Sequence, residues 1–359
     1  MVDHPWPDVA AGRVSTGRLP GRAEVGRLVT EAYAAHRGDD TGSVATYIPT
    51  LAKADPDACA VSVVSVAGES VEAGDVGTGF SIQSVSKPFV LALVHDALGP
   101  AEVHTLLGVN ATGMPFNSVM AVELNEQRTM NPMVNAGAIA TTSLALRLAG
   151  ADRGADAAWG WLHEGLSRFA GRDLDVDEEV YDGESRTNGR NRGIAHLLHS
   201  YGRVYSDPDV ALDLYTRQCS LRVDVHDLAV MGATLADGGV NPVTGVRVVS
   251  ADTCARVLAV MATAGLYELS GDWLHDIGLP GKSGVSGAIV TVAPGKGGMA
   301  TWSPRLDAAG NSVRGQLITR DLSAALGLNL FSSRPVPPVA PGDPGTSVAT
   351  GPALSSSSG

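Results

Sequence analysis

Lysine is nearly absent from this chain. Of 26 basic residues, 22 are arginine and only four are lysine: Lys53, Lys87, Lys282 and Lys296. Arginine stays charged in a protein, whereas a desolvated lysine can lose its proton. The four lysines are therefore the places where a neutral amine can be made. Basic residues are also outnumbered by 38 acids, for a formal net charge of −12. Nucleic-acid binding needs clustered basic residues, so this balance argues against it. Cysteine is scarce as well, with Cys59, Cys219 and Cys254 far apart. An odd count without C-x-x-C spacing argues against a disulfide framework or a cysteine-based zinc site. No run of about 18 apolar residues occurs, so no membrane span is expected. The start, "MVDHPWPDVAAGR", has acids and prolines where a signal peptide needs a basic start and an apolar run. A cytoplasmic protein with reduced thiols is the expectation.

What is present suffices for a core: 359 residues, 44% of them hydrophobic. That length allows one large domain or two smaller ones. Residues 22–37 have apolar spacing that predicts a helix. Residues 58–75, "ACAVSVVSVAGESVEAGD", read as strand, turn, strand. "FVLALVHDALG" follows as a buried helix ending at Gly99, the expected C-cap. From 135 to about 265 the pattern is mostly helical, with Ser250 as an expected N-cap. From 286 the pattern turns to strands, "GAIVTVAPG" and "GMATWSPRLD", with "SVRGQL" a weaker third. "TRDLSAALGLN" closes as a helix. Strands from both chain ends can then share one antiparallel sheet, with the helical block as a second lobe and a cleft between them as the default site. The stretch from 334 is rich in Pro, Gly and Ser, and disorder is expected there.

Chemistry concentrates in "FSIQSVSKPF", residues 80–89. Ser84 and Lys87 form an S-x-x-K pair. On a helix, positions i and i+3 share a face, with β-carbons about 5–6 Å apart. A lysine kept neutral by burial can there accept the serine's proton. Pro88 lacks an N–H and is tolerated only in a first turn, which predicts a helix starting near Ser84. Ser84 then sits at the positive end of the helix dipole, where an oxyanion is stabilised. Ser81 has no base at the right spacing, and Ser86 diverges from Lys87; both are expected to position the pair. S-x-x-K alone is common, an ordinary capping serine beside an exposed lysine being the usual case. A second element, "GKSG" at 281–284, resembles the K-[ST]-G of serine β-lactamases and penicillin-binding proteins. The S-x-N or Y-x-N triplet that those enzymes place between the two elements is absent.

The intervening strings carry a more specific likeness. "YIPTLA" (47–52), "NPMVNAGAIATTSL" (131–144), "ESRTNGRNRGIA" (184–195), "LYTRQCSL" (214–221), "AGLYELSGDW" (264–273) and the long run 279–315 resemble the serine-dependent glutaminase family, in order and at matching intervals. The resemblance covers roughly residues 25–331, flanked by an irregular segment (1–24) and the Pro/Gly/Ser-rich tail (332–359). It implies an α+β, β-lactamase/DD-peptidase-like fold: an antiparallel sheet flanked by terminal helices, plus a helical lobe. It implies hydrolysis of the side-chain amide of L-glutamine to L-glutamate and ammonia. By the same resemblance, Ser84 is the nucleophile, Lys87 its base and Tyr267 a proton relay. The backbone N–H groups of Ser84 and Val285 form the oxyanion hole. Tyr47, Asn135, Glu184, Asn191 and Tyr215 hold the amino-acid end of the substrate. No metal or organic cofactor is implied, and a homodimer or homotetramer is.

The residue types suit a free amino acid. Its ammonium and carboxylate must both be paired once desolvated. Glu184 can answer the ammonium, and asparagine and tyrosine can donate to the carboxylate. Ordinary alternatives exist: Asn135 as a helix cap, Glu184 and Asn191 as solvated loop residues, Tyr215 and Tyr267 as core aromatics. His196 and His199 have i, i+3 spacing but no third ligand, so they read as structural. "GKGGMA" (295–300) reads as a turn between strands, not a phosphate loop. Two other functions compete: a penicillin-recognising β-lactamase or DD-peptidase, and a catalytically dead glutamine-sensing module.

Overall fold

The computed structural model describes residues 19–46, 48–150 and 153–333. The chain opens with helix α1 (Arg22–His36), which buries Val25, Val29 and Ala32 along one stripe. Strands β1 (Ala60–Ser65) and β2 (Ser70–Gly74) form the expected hairpin, and β3 (Phe80–Ser81) follows. Helices α2 (Lys87–Leu98), α3 (Pro100–Leu106), α4 (Val119–Leu124), α5 (Asn135–Leu148), α6 (Gly154–Ala170), α7 (Glu178–Thr187), α8 (Gly189–Ser200) and α9 (Pro208–Cys219) build the helical half. After β4 (Arg222–Val223) come α10 (Val225–Ala236), α11 (Ala251–Ala264) and α12 (Ser270–Ile277). Strands β5 (Gly281–Ser283), β6 (Ala288–Ala293) and β7 (Gly297–Trp302) precede the last helix, α13 (Val313–Leu326).

The sheet joins the two chain ends, as expected. Its order is β2-β1-β7-β6-β5, and every neighbouring pair is antiparallel. Both faces of its middle are covered, so β6 and β7 are buried throughout. Alternation divides the side chains between the two faces. Val61, Val63, Ile289 and Met299 pack with Val25, Val29, Ile318 and Leu322 of the terminal helices. Val64, Val290, Val292 and Ala300 face Leu228, Ala229 and Ala233 of α10. α10 lies almost on the backbone of β7. A Cβ on Gly298 would fall 2.3 Å from the Ala229 carbonyl oxygen, so only glycine allows this approach. A separate apolar cluster joins α5, α8 and α9 through Ile139, Ile194, Leu198 and Leu212. This cluster is the core of the second lobe.

Local signals account for most boundaries. Gly99 ends α2 with φ +81, and the Ser250 side chain accepts the Thr253 N–H at the start of α11. Asp224 and Asp227 form a reciprocal capping box on α10. Two expectations change. "SVRGQL" is not a strand but the start of α13, because Ser312 accepts the Gly315 N–H and caps a helix there. The helix expected near Ser84 begins as a 3-10 turn over Gln83–Ser86 and becomes α-helical at Lys87. Pro88 sits in its first turn, where no intrahelical N–H is missed. Of the tail (332–359), residues 334–359 lie outside the described residues, as do residues 1–18 of the N-terminal segment. The "GKGGMA" glycines do form the β6–β7 turn and the start of β7.

Candidate active site

Ser84 and Lys87 meet where the 3-10 turn feeds α2. The turn is held from both sides. Ile82 N–H donates to the Leu221 carbonyl at 2.8 Å, and Phe80 stacks on Trp302 of β7 with ring centroids 4.9 Å apart. Gln83, the residue before the serine, takes φ +49, a left-handed conformation that is costly for a side chain with a Cβ. Three contacts hold it there. Ser86 Oγ donates to its carbonyl at 2.8 Å, and its amide Nε2 donates to Ser81 Oγ at 3.2 Å and Glu184 Oε2 at 3.4 Å. Ser81 and Ser86 thus support the turn that presents Ser84.

Lys87 is 1% exposed. Its Nζ donates to Ser84 Oγ at 2.6 Å and Asn135 Oδ1 at 2.9 Å. Burial lowers its pKa to about 8, although the nearby Cys219 and Glu184 oppose the shift. A useful fraction of the amine is then neutral near neutral pH and can take the proton of a hydroxyl in contact with it. On the other wall, Lys282 of β5 is fully buried and donates to the Gly265 and Ser283 carbonyls at 2.9 and 2.7 Å. Its Nζ also sits 4.4 Å from the centroid of the Tyr267 ring. Burial, then the nearby Lys87 charge, hold its pKa well below the ordinary lysine range.

Tyr267 lies in a 3-10 turn after α11 with φ +58. Its hydroxyl donates to the Ser283 carbonyl at 3.3 Å. Burial pushes the phenol up to about 12, against hydrogen bonds with Ser84 and Ser283. That turn can approach β5 because Gly265 has no side chain; a Cβ there would lie 1.8 Å from the Gly281 carbonyl oxygen.

A cavity of about 210 Å³ opens in front of Ser84, lined among others by Asn135, Glu184, Asn191, Tyr215 and Val285. One hydrogen-bond chain orders its floor. Asn135 Oδ1 accepts from Lys87 and from the Tyr215 hydroxyl at 3.2 Å, and Asn135 Nδ2 donates to Asn191 Oδ1 at 3.0 Å. That chain fixes which way both amides point and leaves Asn191 Nδ2 to face a ligand. Glu184 is a buried residue of α7, not a loop residue, at 9% exposure. Burial raises its carboxyl to about 7, opposed by the Gln83 hydrogen bond and the Lys87 charge. A cation brought beside it would favour the ionised form.

The structure thus gathers eight of the nine expected residues; the ninth, Tyr47, lies outside the described residues. It also adds Gln83, Phe116, Asn117 and Arg190, which sequence reasoning did not single out. Phe116 packs its ring 4.7 Å from that of Tyr267. Gln83 borders Ser84 and could have been flagged by adjacency, but its left-handed backbone has no sequence signature. His196 faces Asp209 in the open, and among the described residues no group of His, Cys, Asp or Glu could hold a metal ion.

Sheet order, terminal helices and the Ser84–Lys87 turn between the lobes define a β-lactamase-like serine-enzyme fold. Solved structures agree: one described as a probable glutaminase, ybaS, superposes with TM-score 0.84 at 43% identity, covering 88% of this chain and all of that one. Another, a probable glutaminase from Bacillus subtilis complexed with 6-diazo-5-oxo-L-norleucine, matches with TM-score 0.74 at 26% identity over 86% of this chain and 96% of that one. The Glutaminase family model matches residues 42–331. Glutaminase 2 of Yersinia pestis is 56% identical over 338 residues, 93% of this chain and 98% of the relative. A glutaminase of Colwellia psychrerythraea is 49% identical over 314 residues, 88% and 99% of the two chains. The chain belongs to the glutaminase family, in its serine-dependent bacterial form, and is an amidohydrolase. The penicillin-recognising alternative is not favoured.

Proposed function

We propose that the enzyme hydrolyses free L-glutamine through an acyl-enzyme on Ser84. The observation that carries this reading is the 2.6 Å contact between Lys87 Nζ and Ser84 Oγ at a buried, readily deprotonated amine. Lys87 accepts the hydroxyl proton as Oγ bonds to the side-chain amide carbon. The developing oxyanion is held by the backbone N–H groups of Ser84 and Val285. In support, no carbonyl among the described residues takes either N–H, and both residues border the cavity. The C–N bond then breaks, and ammonia leaves with a proton passed from Lys87 through Tyr267. Water, deprotonated by the same groups, attacks the ester and releases glutamate.

Glu184 pairs with the substrate ammonium, while Asn191, Asn135, Tyr215 and Tyr47 surround the amino-acid end. A peptide-bound glutamine or a β-lactam nucleus offers Glu184 no ammonium, which disfavours both. Ammonia release by wild type and Ser84→Ala, with folding checked by circular dichroism, tests the mechanism. The variant is expected to fold and to release none; retained turnover would sink it. Trapping the acyl-enzyme by acid quench and mass spectrometry should place the added mass on the peptide holding Ser84.

Residues 25–331 are proposed as the catalytic unit, so a chain ending at 333 should keep its activity. Among the described residues no helix is long and apolar enough to cross a membrane. A cytoplasmic homodimer or homotetramer is proposed from the family resemblance alone, and light scattering of the purified protein tests its assembly.

A further inference from the structure

Free glutamine brings two opposite charges into the cavity, and the expected ligands answer them unequally. Glu184 can match the ammonium with a full charge. The groups expected at the carboxylate are neutral, and much of their capacity is already used. Asn135 holds three hydrogen bonds within the protein, to Lys87, Tyr215 and Asn191. The Tyr215 hydroxyl donates its proton to Asn135. Lys87 is engaged with Ser84, and Lys282 is turned to backbone carbonyls.

Among the described residues one permanent cation lines the same cavity: Arg190. It stands in the first turn of α8, next to Asn191. Its Nε donates to the Asn117 carbonyl at 2.9 Å, and Asn117 borders the cavity too. That bond anchors the guanidinium at the rim. Two residues on, Arg192 is neutralised by Asp209 at 3.6 Å. Arg190 has no carboxylate within ion-pair distance among the described residues. Its charge is therefore not spent on the protein.

We propose that Arg190 is a specificity-determining residue, supplying the counter-charge for the substrate's α-carboxylate from the rim of the cavity. This rests on the assignment of the cavity to free glutamine. Being exposed, Arg190 acts through a screened field and selects glutamine that carries a free carboxylate over the same side chain with that charge removed. Its expected mark is on KM and not on the chemical step, because the α-carboxylate is charged alike in substrate and transition state.

The test compares wild type, Arg190→Gln and Arg190→Lys, with thermal unfolding as the folding control. The readouts are kcat and KM for L-glutamine, and the inhibition constant of L-glutamine α-amide as a competitor, so that it need not turn over. For Arg190→Gln, KM should rise about five- to tenfold with kcat within about twofold, as a lost rim charge acts on binding. The α-amide constant should stay unchanged, and Arg190→Lys should recover part of the loss. Raising salt should raise the wild-type KM and leave that of Arg190→Gln nearly flat. Equal weakening toward glutamine and its α-amide would overturn the proposal, since it would reduce Arg190 to a tie for Asn117. Turnover by Ser84→Ala would instead overturn the cavity assignment, whatever the Arg190 variants do.

Discussion

The two walls of the cleft each bury a lysine, and they use it differently. On the helical wall, Lys87 contacts side chains that can react or rearrange, Ser84 and Asn135. On the sheet wall, Lys282 donates to two backbone carbonyls that cannot change their chemistry. Burial lowers both pKa values. A neutral amine keeps two N–H groups, enough for two carbonyls, and one lone pair. At Lys87 the amine meets a hydroxyl; at Lys282 it lies over the Tyr267 ring, 4.4 Å from its centroid. The same residue type thus stands against reactive side chains on one wall, where it is the proposed base, and against backbone on the other, the neighbours deciding which.

The strongest way to break this comparison is at the helical wall. Lys87→Met should cut kcat by about a thousandfold or more, since both proton acceptor and activated nucleophile are lost. Asn135 Oδ1 would keep the Tyr215 hydroxyl as its donor, so thermal stability should move little. Lys282→Met should do the reverse. It removes the shorter of two donors from each of the Gly265 and Ser283 carbonyls, which keep only the 3.3 Å bonds from the Ser283 N–H and the Tyr267 hydroxyl, at about 1 kcal/mol each. The melting temperature should fall by a few degrees, about 1–2 °C per kcal/mol at this size. A stable Lys282→Met enzyme with activity as low as Lys87→Met would erase the distinction.

A smaller effect concerns pH. In the proposed mechanism Glu184, near 7, and Lys87, near 8, are each needed in their deprotonated form, one for binding and one for chemistry. Both release a proton as pH rises, so kcat/KM should climb from about pH 6 to 9. Below about 7 the neutral Glu184 no longer attracts the ammonium, and KM should rise. Glu184→Gln should raise KM at every pH and remove the lower of the two steps. A profile that falls through this range would contradict the assignment of both groups.

The smallest expected change separates the supports of the nucleophile turn. Ser86→Ala removes the hydroxyl that holds the Gln83 carbonyl, and should reduce stability by about 1 kcal/mol and kcat by a few-fold. An unchanged kcat would show that the Gln83 side-chain contacts alone keep the turn in its left-handed form.

Legibility followed sequence distance. Ser84 and Lys87 lie three residues apart, and the Pro88 constraint with helical spacing was enough to select them. Caps such as Ser250 and Gly99 are likewise local. The start of α13 was misread because "SVRGQL" alternates like a strand, whereas the Ser312 cap and the packing of Leu317 and Ile318 make it helical. Glu184 was ambiguous for the opposite reason. "DGESRTNGRN" looks like a solvated loop, and only packing on the rest of the lobe buries that carboxylate beside Gln83, 101 residues away.

The chain by itself determined the strands that could pair, the serine–lysine spacing and, through its long family-like strings, the reaction. Those features depend on contacts within a turn or two of helix or one strand. Only the tertiary structure decided which residues share the cavity, how neutral its lysines are and where Arg190 stands. Burial and charge proximity depend on segments that meet only after the sheet closes across both chain ends, and no local pattern encodes that meeting.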